Sequence, residues 1–415
     1  MTADNPTASG ESASPSAPES PPQPAVIDTT NAGLRDGVNR CPKCGSTDVQ
    51  LRVATGMLMC LFCRYEWSGE RAEEAYGLGE GTESLRGTVI GSGAKNIDAN
   101  AADMLTLKCQ GCGAEVVINT ANSLSARCHW CRHNLDVNQQ VPNGAVPDAV
   151  LPFGIRRDDA VARIRAFVDK RRMFALARFK QEFVPENVLG VYLPYMVVDG
   201  NASADVSGVG EIQIRSYTRT EGFGKNRQQV TYYDADAYRV NRHVDFTVED
   251  LTLESSAERA NFNTQVNTNN VINTILPFDT KNAVTWNASY LTGFSSQKRD
   301  QDVQALEPQL EQQLLSIARS EVLESVRRFN RGVRWEQEGL QVHGTRWISM
   351  YLPVWLYSYR EVRGNRALVH YIAVNARTGE TMGSVPIQQW KLILAALTVG
   401  TFIEGVVLAI LGAMQ

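Results

Sequence analysis

The stretch 351–387, YLPVWLYSYREVRGNRALVHYIAVNARTGETMGSVPI, contains three apolar runs that alternate with polar turns. Aromatic and β-branched residues fill the runs, and the segments RGN and NARTGE separate them. Runs of this composition, bounded by Gly and Asn, predict strands that are joined by tight turns. We therefore expect an antiparallel meander at the end of a folded domain.

Two amphipathic helices are predicted upstream of the meander. The first begins near Asp158 or Asp159, which can cap it, and the second spans roughly 306–329. The apolar residues that share one side of the first helix are Val161, Ile164, Phe167 and Val168. Those of the second are Leu306, Leu310, Leu314, Ile317, Val322, Val326 and Phe329. Residues 148–388 are thus predicted to form an α+β domain of helices and antiparallel meander.

The motif YLP occurs twice, at Tyr192–Pro194 and at Tyr351–Pro353. Each copy follows an amphipathic helix and opens an apolar strand. Two interpretations stay open: a duplicated helix-plus-meander module, and a chance similarity between two strands.

All eight cysteines lie between positions 41 and 131, in two sets with the identical spacing C-x2-C-x15-C-x2-C. The first set is Cys41, Cys44, Cys60 and Cys63, and the second is Cys109, Cys112, Cys128 and Cys131. Each closely spaced pair forms a tight turn that directs two thiolates to one point, and four thiolates select tetrahedral zinc. We therefore predict two structural Zn2+ ions. Because four protein ligands close the coordination shell, no position is left for water or substrate.

The segments CPKCG with CLFCR, and CQGCG with CHWCR, resemble TFIIB-type zinc ribbons, which are small three-stranded modules. The ribbons are predicted over 41–69 and 105–137. Downstream, LPFGIRRDDAVARIRAF, YLPYMVVDG, YLTGF and the meander resemble a family of bacterial membrane-associated zinc-ribbon proteins of unknown biochemical activity, sometimes labelled primosomal or helicase-like. The resemblance covers roughly residues 105–390. It implies a link with envelope-stress machinery at the membrane.

Two polar segments are predicted to lack structure of their own. Residues 1–40 are rich in Ser, Pro, Ala, Thr and Glu, so we expect a disordered tail. Residues 70–104 are rich in Gly and acidic side chains, so we expect a flexible linker between the ribbons.

The stretch 391–414 is apolar except for Lys391 and Glu404, and it is long enough to cross a bilayer as a helix. We therefore predict a single transmembrane helix, with the bulk of the chain on the cytoplasmic side. The alternative is a buried helix of the core. Glu404 would be costly in lipid, so it is expected at a helix–helix contact, which makes a homo-oligomer through the span a further expectation.

The charge balance argues against a strongly basic nucleic-acid binder. The chain carries 41 Lys and Arg against 45 Asp and Glu, a formal net charge of -4. Residues 156–186 form the most basic stretch, and they could face anionic lipid, nucleic acid or water.

The sequence lacks the common catalytic signatures. GSGAKN and GFGKN do not have the spacing of a phosphate-binding P-loop, which argues against a helicase. His243, His343 and His370 have no HExxH or G-x-S-x-G context, and we interpret them as structural. The acidic residues Asp245 and Asp250 are interpreted as a solvated face. No catalytic or cofactor-binding residue is predicted.

These features favour a non-enzymatic, membrane-tethered cytoplasmic adaptor whose zinc ribbons recruit protein partners. The alternative is a membrane-tethered nucleic-acid-binding or transcription-related regulator that uses the ribbons as its contact surface. A hydrolase within the α+β domain is a third hypothesis.

Overall fold

The computed structural model describes most of the chain from residue 40 to residue 398. The described ranges are 25–27, 40–97, 104–108, 115–120, 123–127, 134–137, 146–222, 227–256, 275–297, 299–363, 366–394 and 396–398. Its α-helices are α1 (Ala72–Tyr76), α2 (Arg157–Asp169), α3 (Ala177–Glu182) and α4 (Val303–Val322). Short 3₁₀ turns cover Thr82–Ser84, Ser92–Ala94, Pro185–Asn187, Thr280–Asn282, Ala288–Leu291 and Glu324–Val326.

Strands outnumber helices in the described residues. The first nine are β1 (Ala25–Ile27), β2 (Val49–Arg52), β3 (Met57–Cys60), β4 (Glu66–Trp67), β5 (Gly87–Gly91), β6 (Met104–Lys108), β7 (Glu115–Asn119), β8 (Ser125–Arg127) and β9 (Asn134–Asp136). The others are β10 (Ala149–Val150), β11 (Leu189–Glu221), β12 (Gln228–Glu254), β13 (Val284–Thr285), β14 (Ser295–Ser296), β15 (Val333–Arg363), β16 (Arg366–Asn375) and β17 (Thr381–Gly383).

Three very long strands dominate the molecule. β11 has 33 residues, β12 has 27 and β15 has 31, whereas strands usually have about 3 to 10. β11 lies in the middle and pairs antiparallel with both neighbours. Register shifts at Val198/Gly200 and Gln213/Arg215 against β12, and at Ser207/Gly208 against β15, interrupt the ladders. Such bulges increase the local twist and bend a strand of this length.

The long strands belong to one mixed sheet of ten strands in the described residues. β15, β16 and β17 form the expected antiparallel meander, while β5 and β10 pair parallel with β15. The predicted fold class, an α+β domain with a transmembrane helix, is therefore wrong: the chain is built mainly on large mixed β-sheet. The reason is that 189–254, which was not predicted as continuous strand, forms two of its three longest strands.

The two YLP motifs are neighbours in this sheet. Tyr192 pairs with Pro353, Leu193 with Leu352 and Pro194 with Tyr351. The motifs thus lie in register on adjacent antiparallel strands of a single sheet.

Helices cover both faces of the sheet. Side chains alternate between faces along a strand, so Met196 and Val198 of β11 contact α4, whereas Tyr195 and Val197 lie in the cluster that contains α1. In α4, the buried residues recur at helical spacing, as predicted: Val303, Leu306, Leu310, Leu314, Ala318 and Val322. Each fully buried Leu contributes about 2 kcal/mol through burial of apolar surface.

The segment predicted as a linker is folded where it is described. Ala72 and Tyr76 of α1 are buried, and the Tyr76 hydroxyl donates a 2.7 Å hydrogen bond to the Asp148 carbonyl. β5 pairs with β15, and β1, from the segment predicted to be a disordered tail, pairs with β5. The glycines of this segment serve turns: Gly77, for example, caps α1 at a φ of 66°.

No helix within the described ranges is long and apolar enough to cross a membrane. Residues 389–394 and 396–398 are helical, and Glu404 lies outside the described residues. The predictions of a transmembrane helix over 391–414 and of a single-pass membrane location are therefore contradicted within the described residues.

Candidate metal centre

Strands β2, β3 and β4 form a small antiparallel sheet that carries the first cysteine set. Cys41 and Cys44 lie in the turn that precedes β2, and Cys60 and Cys63 lie in the turn between β3 and β4. In each turn the backbone N–H four residues after the first cysteine donates to that cysteine's carbonyl, from Gly45 at 2.8 Å and from Arg64 at 2.9 Å. Gly45 and Arg64 both have positive φ, 73° and 60°. The two turns thus have matching backbone geometry.

The four sulfur atoms converge on one point. The Sγ atoms of Cys41 and Cys63 are 3.6 Å apart, as are those of Cys44 and Cys60, and all four lie within 4.8 Å of one another. A tetrahedron with metal–sulfur bonds of about 2.3 Å has edges of about 3.8 Å. These distances are far beyond the ~2.05 Å of a disulfide bond. Cys41, Cys44, Cys60 and Cys63 therefore form a group that could hold a metal ion.

The thiols do not ionise alike. Burial opposes ionisation of Cys60, but backbone N–H donors from Cys63 and Phe62, together with the Cys44 and Cys63 thiols, lower its pKa to about 6. A hydrogen bond from the Ser46 backbone lowers the pKa of Cys44, but burial and hydrogen bonds with the other three thiols outweigh it and raise this pKa to about 12. One thiolate thus forms readily, and a bound cation would replace the protons that the remaining thiols hold.

The sheet that carries the cysteines is docked on the rest of the protein. Val49, Leu51 and Leu58 are buried in a hydrophobic cluster that also contains Phe153 and Tyr192 of the main domain. The Tyr290 hydroxyl accepts a 3.1 Å hydrogen bond from the Gly69 backbone. The cysteine group is therefore held at a fixed position against the large sheet.

The metal end of this module exposes apolar side chains. Phe62, between the third and fourth cysteines, is 79 % exposed, and Leu61 is 39 % exposed. Tyr65 is 40 % exposed and stacks on Trp67 with ring centroids 6.0 Å apart. We call Leu61, Phe62 and Tyr65 the knuckle patch. Large apolar side chains that remain exposed beside one another are characteristic of contact surfaces.

The second cysteine set, Cys109, Cys112, Cys128 and Cys131, lies outside the described residues. The strands around it are described: β6 pairs with β7, and β8 pairs with β9. Leu107, Ile118, Leu135 and Val137 from this region join the same hydrophobic cluster as the first module.

The histidines singled out in the sequence are spread over the sheet. His243 Nδ1 lies 2.8 Å from Asp205 Oδ1, and its Nε2 lies 3.5 Å from Asp245 Oδ2. The bond to Asp205 and the charges of Asp205 and Asp245 raise the pKa of His243. His343 lines an open cleft with Asp245 but not with His243.

His370 lies elsewhere: its Nδ1 is 3.1 Å from Ser384 Oγ, and its Nε2 is 3.1 Å from Glu361 Oε2. Asp250 does not join Asp245 in an acidic cluster. Its backbone N–H instead donates to Asp199 Oδ1 at 3.0 Å.

Buried acids were missed by the sequence analysis. Asp148 is 1 % exposed, and its carboxylate accepts hydrogen bonds from the backbone N–H groups of Gly93 and Ser349 at 2.5 and 2.9 Å. Asp199 accepts from the Gly79 backbone at 2.8 Å and lies 3.4 Å from Arg346. Both acids fasten the segment before residue 98 to the sheet. A lone Asp gives no sequence signal for this role.

Four of the nine basic side chains in the stretch 156–186 form ion pairs within it. Arg165 bonds Glu186 and Arg178 bonds Glu182, each at 2.7 Å. These exposed pairs add little stability, but they leave fewer free cations for a polyanion.

Comparisons with known proteins give one distant similarity. The chain is 20% identical over 260 residues to the uncharacterized protein YdjG of Bacillus subtilis (strain 168), which covers 62% of this chain and 69% of that protein. An alignment of this length extends well beyond the cysteine modules. No family model matches the chain, and no solved structure matches it.

Proposed function

We propose that this protein is a zinc-stabilised adaptor that binds a protein partner through the knuckle patch. The observation that carries the proposal is Phe62, which is 79 % exposed between two ligands of a group that is otherwise fixed by the buried core. An aromatic side chain held on a rigid support loses little conformational entropy on binding, and such residues commonly dominate interface energies.

The four-thiolate group supports zinc as the metal, because soft thiolates in a tetrahedral arrangement suit Zn2+. The resemblance to TFIIB-type zinc ribbons agrees with this choice. With four ligands the ion has a structural role and offers no open position for catalysis. We extend the proposal to the second cysteine set, whose spacing is identical, so that the whole chain would bind two ions.

The surface chemistry favours a protein partner over nucleic acid. Residues 41–69 contain three basic side chains, Lys43, Arg52 and Arg64, against Asp48 and Glu66. Arg52 bonds Glu66, and Lys43 Nζ lies 5.7 Å from the Tyr65 ring, so little basic surface remains for phosphates. The partner should present an apolar pocket with a polar rim, because the knuckle patch is apolar and flanked by Lys43 and Arg64.

Photo-cross-linking in cells tests the proposal. Phe62 is replaced by p-benzoylphenylalanine, and as a matched control Met173, which is 69 % exposed on the main domain, is replaced in the same way. We expect a discrete cross-link to one protein from position 62 and none from position 173, and a weaker cross-link when Leu61→Ser is added. Equal cross-linking from both positions, or a salt-sensitive cross-link from position 62 to nucleic acid alone, would contradict the proposal.

A further inference from the structure

The outer end of the β11–β12 hairpin is supported by no third strand among the described residues. The pairing of β11 with β15 ends at Gly210, opposite Val333. Beyond it, the Glu211 backbone still exchanges hydrogen bonds with residues 331 and 332, and the Gln213 N–H donates to Asn330 Oδ1 at 2.8 Å. From Arg215 to Glu221, β11 pairs with β12 alone. We call Arg215–Glu221 the open edge.

An open edge of this kind presents a row of unpaired backbone donors and acceptors. A two-stranded hairpin is only marginally stable in water, and edge strands are usually blunted by charged side chains, especially Lys, by Pro or by a bulge. The open edge, RSYTRTE, contains no Pro and no Lys, its three charged side chains are of both signs, and its pairing with β12 runs without a register shift from Arg215 to Glu221. It is therefore a suitable template for another strand.

The sequence of the open edge is complementary to itself. When two copies are placed antiparallel about Thr218, Arg215 lies opposite Glu221 of the second copy, and Tyr217 lies opposite Arg219 of the second copy. Both relations occur twice because of the two-fold symmetry. The two neighbouring registers that keep the same faces together place like charges opposite each other. Pairing about Tyr217 places Arg215 opposite Arg219 of the second copy, and pairing about Arg219 places Arg219 opposite Arg219 of the second copy. Like charges directly opposite each other destabilise a sheet.

The side chains are arranged for such pairing. The odd-numbered residues of the open edge share one face of the β11–β12 hairpin. On that face the Tyr217 ring stacks on the ring of its β12 partner Tyr232, with centroids 6.0 Å apart, and the Arg219 guanidinium lies 5.1 Å from the Tyr217 ring. Arg215 bonds Asp234 at 2.6 Å but remains 72 % exposed, so its other nitrogens can reach a second carboxylate. The second copy would extend this ladder of arginine and tyrosine side chains.

We propose that the protein forms a symmetric dimer in which the open edges of two copies pair antiparallel about Thr218. The β11–β12 hairpins of the two copies then make one continuous four-stranded sheet. This proposal is independent of the partner that the knuckle patch binds.

Charge exchange between full-length chains tests the dimer. Glu221→Arg places an arginine opposite Arg215 of the second copy, and Arg215→Glu places a glutamate opposite Glu221. Each variant alone should therefore dimerise about tenfold more weakly in sedimentation velocity. Mixing the two variants makes both cross-pairs opposite in charge, and we expect the mixed dimer to recover wild-type affinity. Any folding defect of either variant is also present in the mixture, so it cannot mimic this recovery.

Cysteine cross-linking tests the register. Thr218→Cys brings the two substituted positions face to face on the two-fold axis, within the ~4.5 to 5.5 Å that opposite residues have in an antiparallel pair, and should give a disulfide-linked dimer. Thr231→Cys, at the β12 position that pairs with Thr218, is the matched control and should stay monomeric on a non-reducing gel. A monomeric wild type at all concentrations, a mixture no tighter than the single variants, or cross-linking through position 231 instead of 218 would overturn the proposal.

Discussion

At the scale of single residues, Asp148 joins three separate elements of the fold. Its carboxylate bonds Gly93 and Ser349, and its carbonyl accepts from Tyr76, so one residue connects the 3₁₀ turn, β15 and α1. Burial raises the pKa of Asp148 to about 6, although the backbone donors and Arg299 oppose the shift. The sequence could not predict this role, because nothing in VPDAV, the segment around it, marks this aspartate as buried.

The raised pKa of Asp148 predicts how stability depends on pH. In the unfolded chain the carboxyl has its ordinary pKa of about 3.9, so between about pH 4 and pH 6 the folded state holds a proton that the unfolded state has released. The resulting contribution to stability is fully present below about pH 4 and is lost as the pH rises through about 6. A pKa rise from about 3.9 to about 6 corresponds to about 3 kcal/mol.

Denaturant unfolding from about pH 4 to about pH 7 measures this effect by comparing wild type with Asp148→Asn. The difference in free energy of unfolding between the two proteins should change by up to about 3 kcal/mol across that range, because Asn does not titrate. All other groups, including the cysteines, are common to both proteins and cancel. A difference that does not vary with pH would show that Asp148 has an ordinary pKa in the folded protein.

At the scale of elements, the two long helices were predictable and the long strands were not. In α2 and α4 the apolar residues recur every three or four positions, which is a strong local signal. β11 and β12 carry charged residues on exposed positions along much of their length, as at Arg219 and Arg239, so they lack the short, turn-bounded runs by which strands are recognised. The glycines of 77–93 were misinterpreted as a linker because turn and linker glycines look alike in a sequence.

The first cysteine module is the element whose stability we expect to depend on a metal ion. It has about 30 residues, too few for a core of its own, so metal ligation should supply much of its folding energy. We expect Cys60→Ser to lose one metal ion relative to wild type and to increase amide exchange in β2 and β3. The main sheet should keep its protection from amide exchange, because Val49, Leu51 and Leu58 form only a small part of the hydrophobic cluster beside it.

Phe62→Ser is the matched control for that experiment, because Phe62 lies in the same turn but offers no ligand. It should keep the full metal content and the protection of β2 and β3. Retention of the full metal content by Cys60→Ser would contradict the assignment of Cys60 as a ligand.

At the scale of the whole molecule, the cysteine modules and the large sheet form one packed body in the described residues. Residues of β2, β3, β6, β7 and β9 share a hydrophobic cluster with β11 and β15. Spacing alone predicted that the four cysteines of the first module come together, but it could not predict this docking, because contacts between distant segments leave no local pattern. The consequence is that the knuckle patch belongs to a module that packs against the large sheet.

The proposed adaptor role depends on a closed thiolate shell. Four protein ligands leave a structural ion with no open position, whereas the ion of a metalloenzyme keeps one. Zinc K-edge X-ray absorption on the purified full-length protein measures the shell directly. We predict four sulfur scatterers at about 2.3 Å per zinc and no nitrogen or oxygen ligand. A shell with fewer than four sulfurs and an oxygen or nitrogen scatterer at about 2.0 Å would contradict the claim, because such a site has a position open to water or substrate.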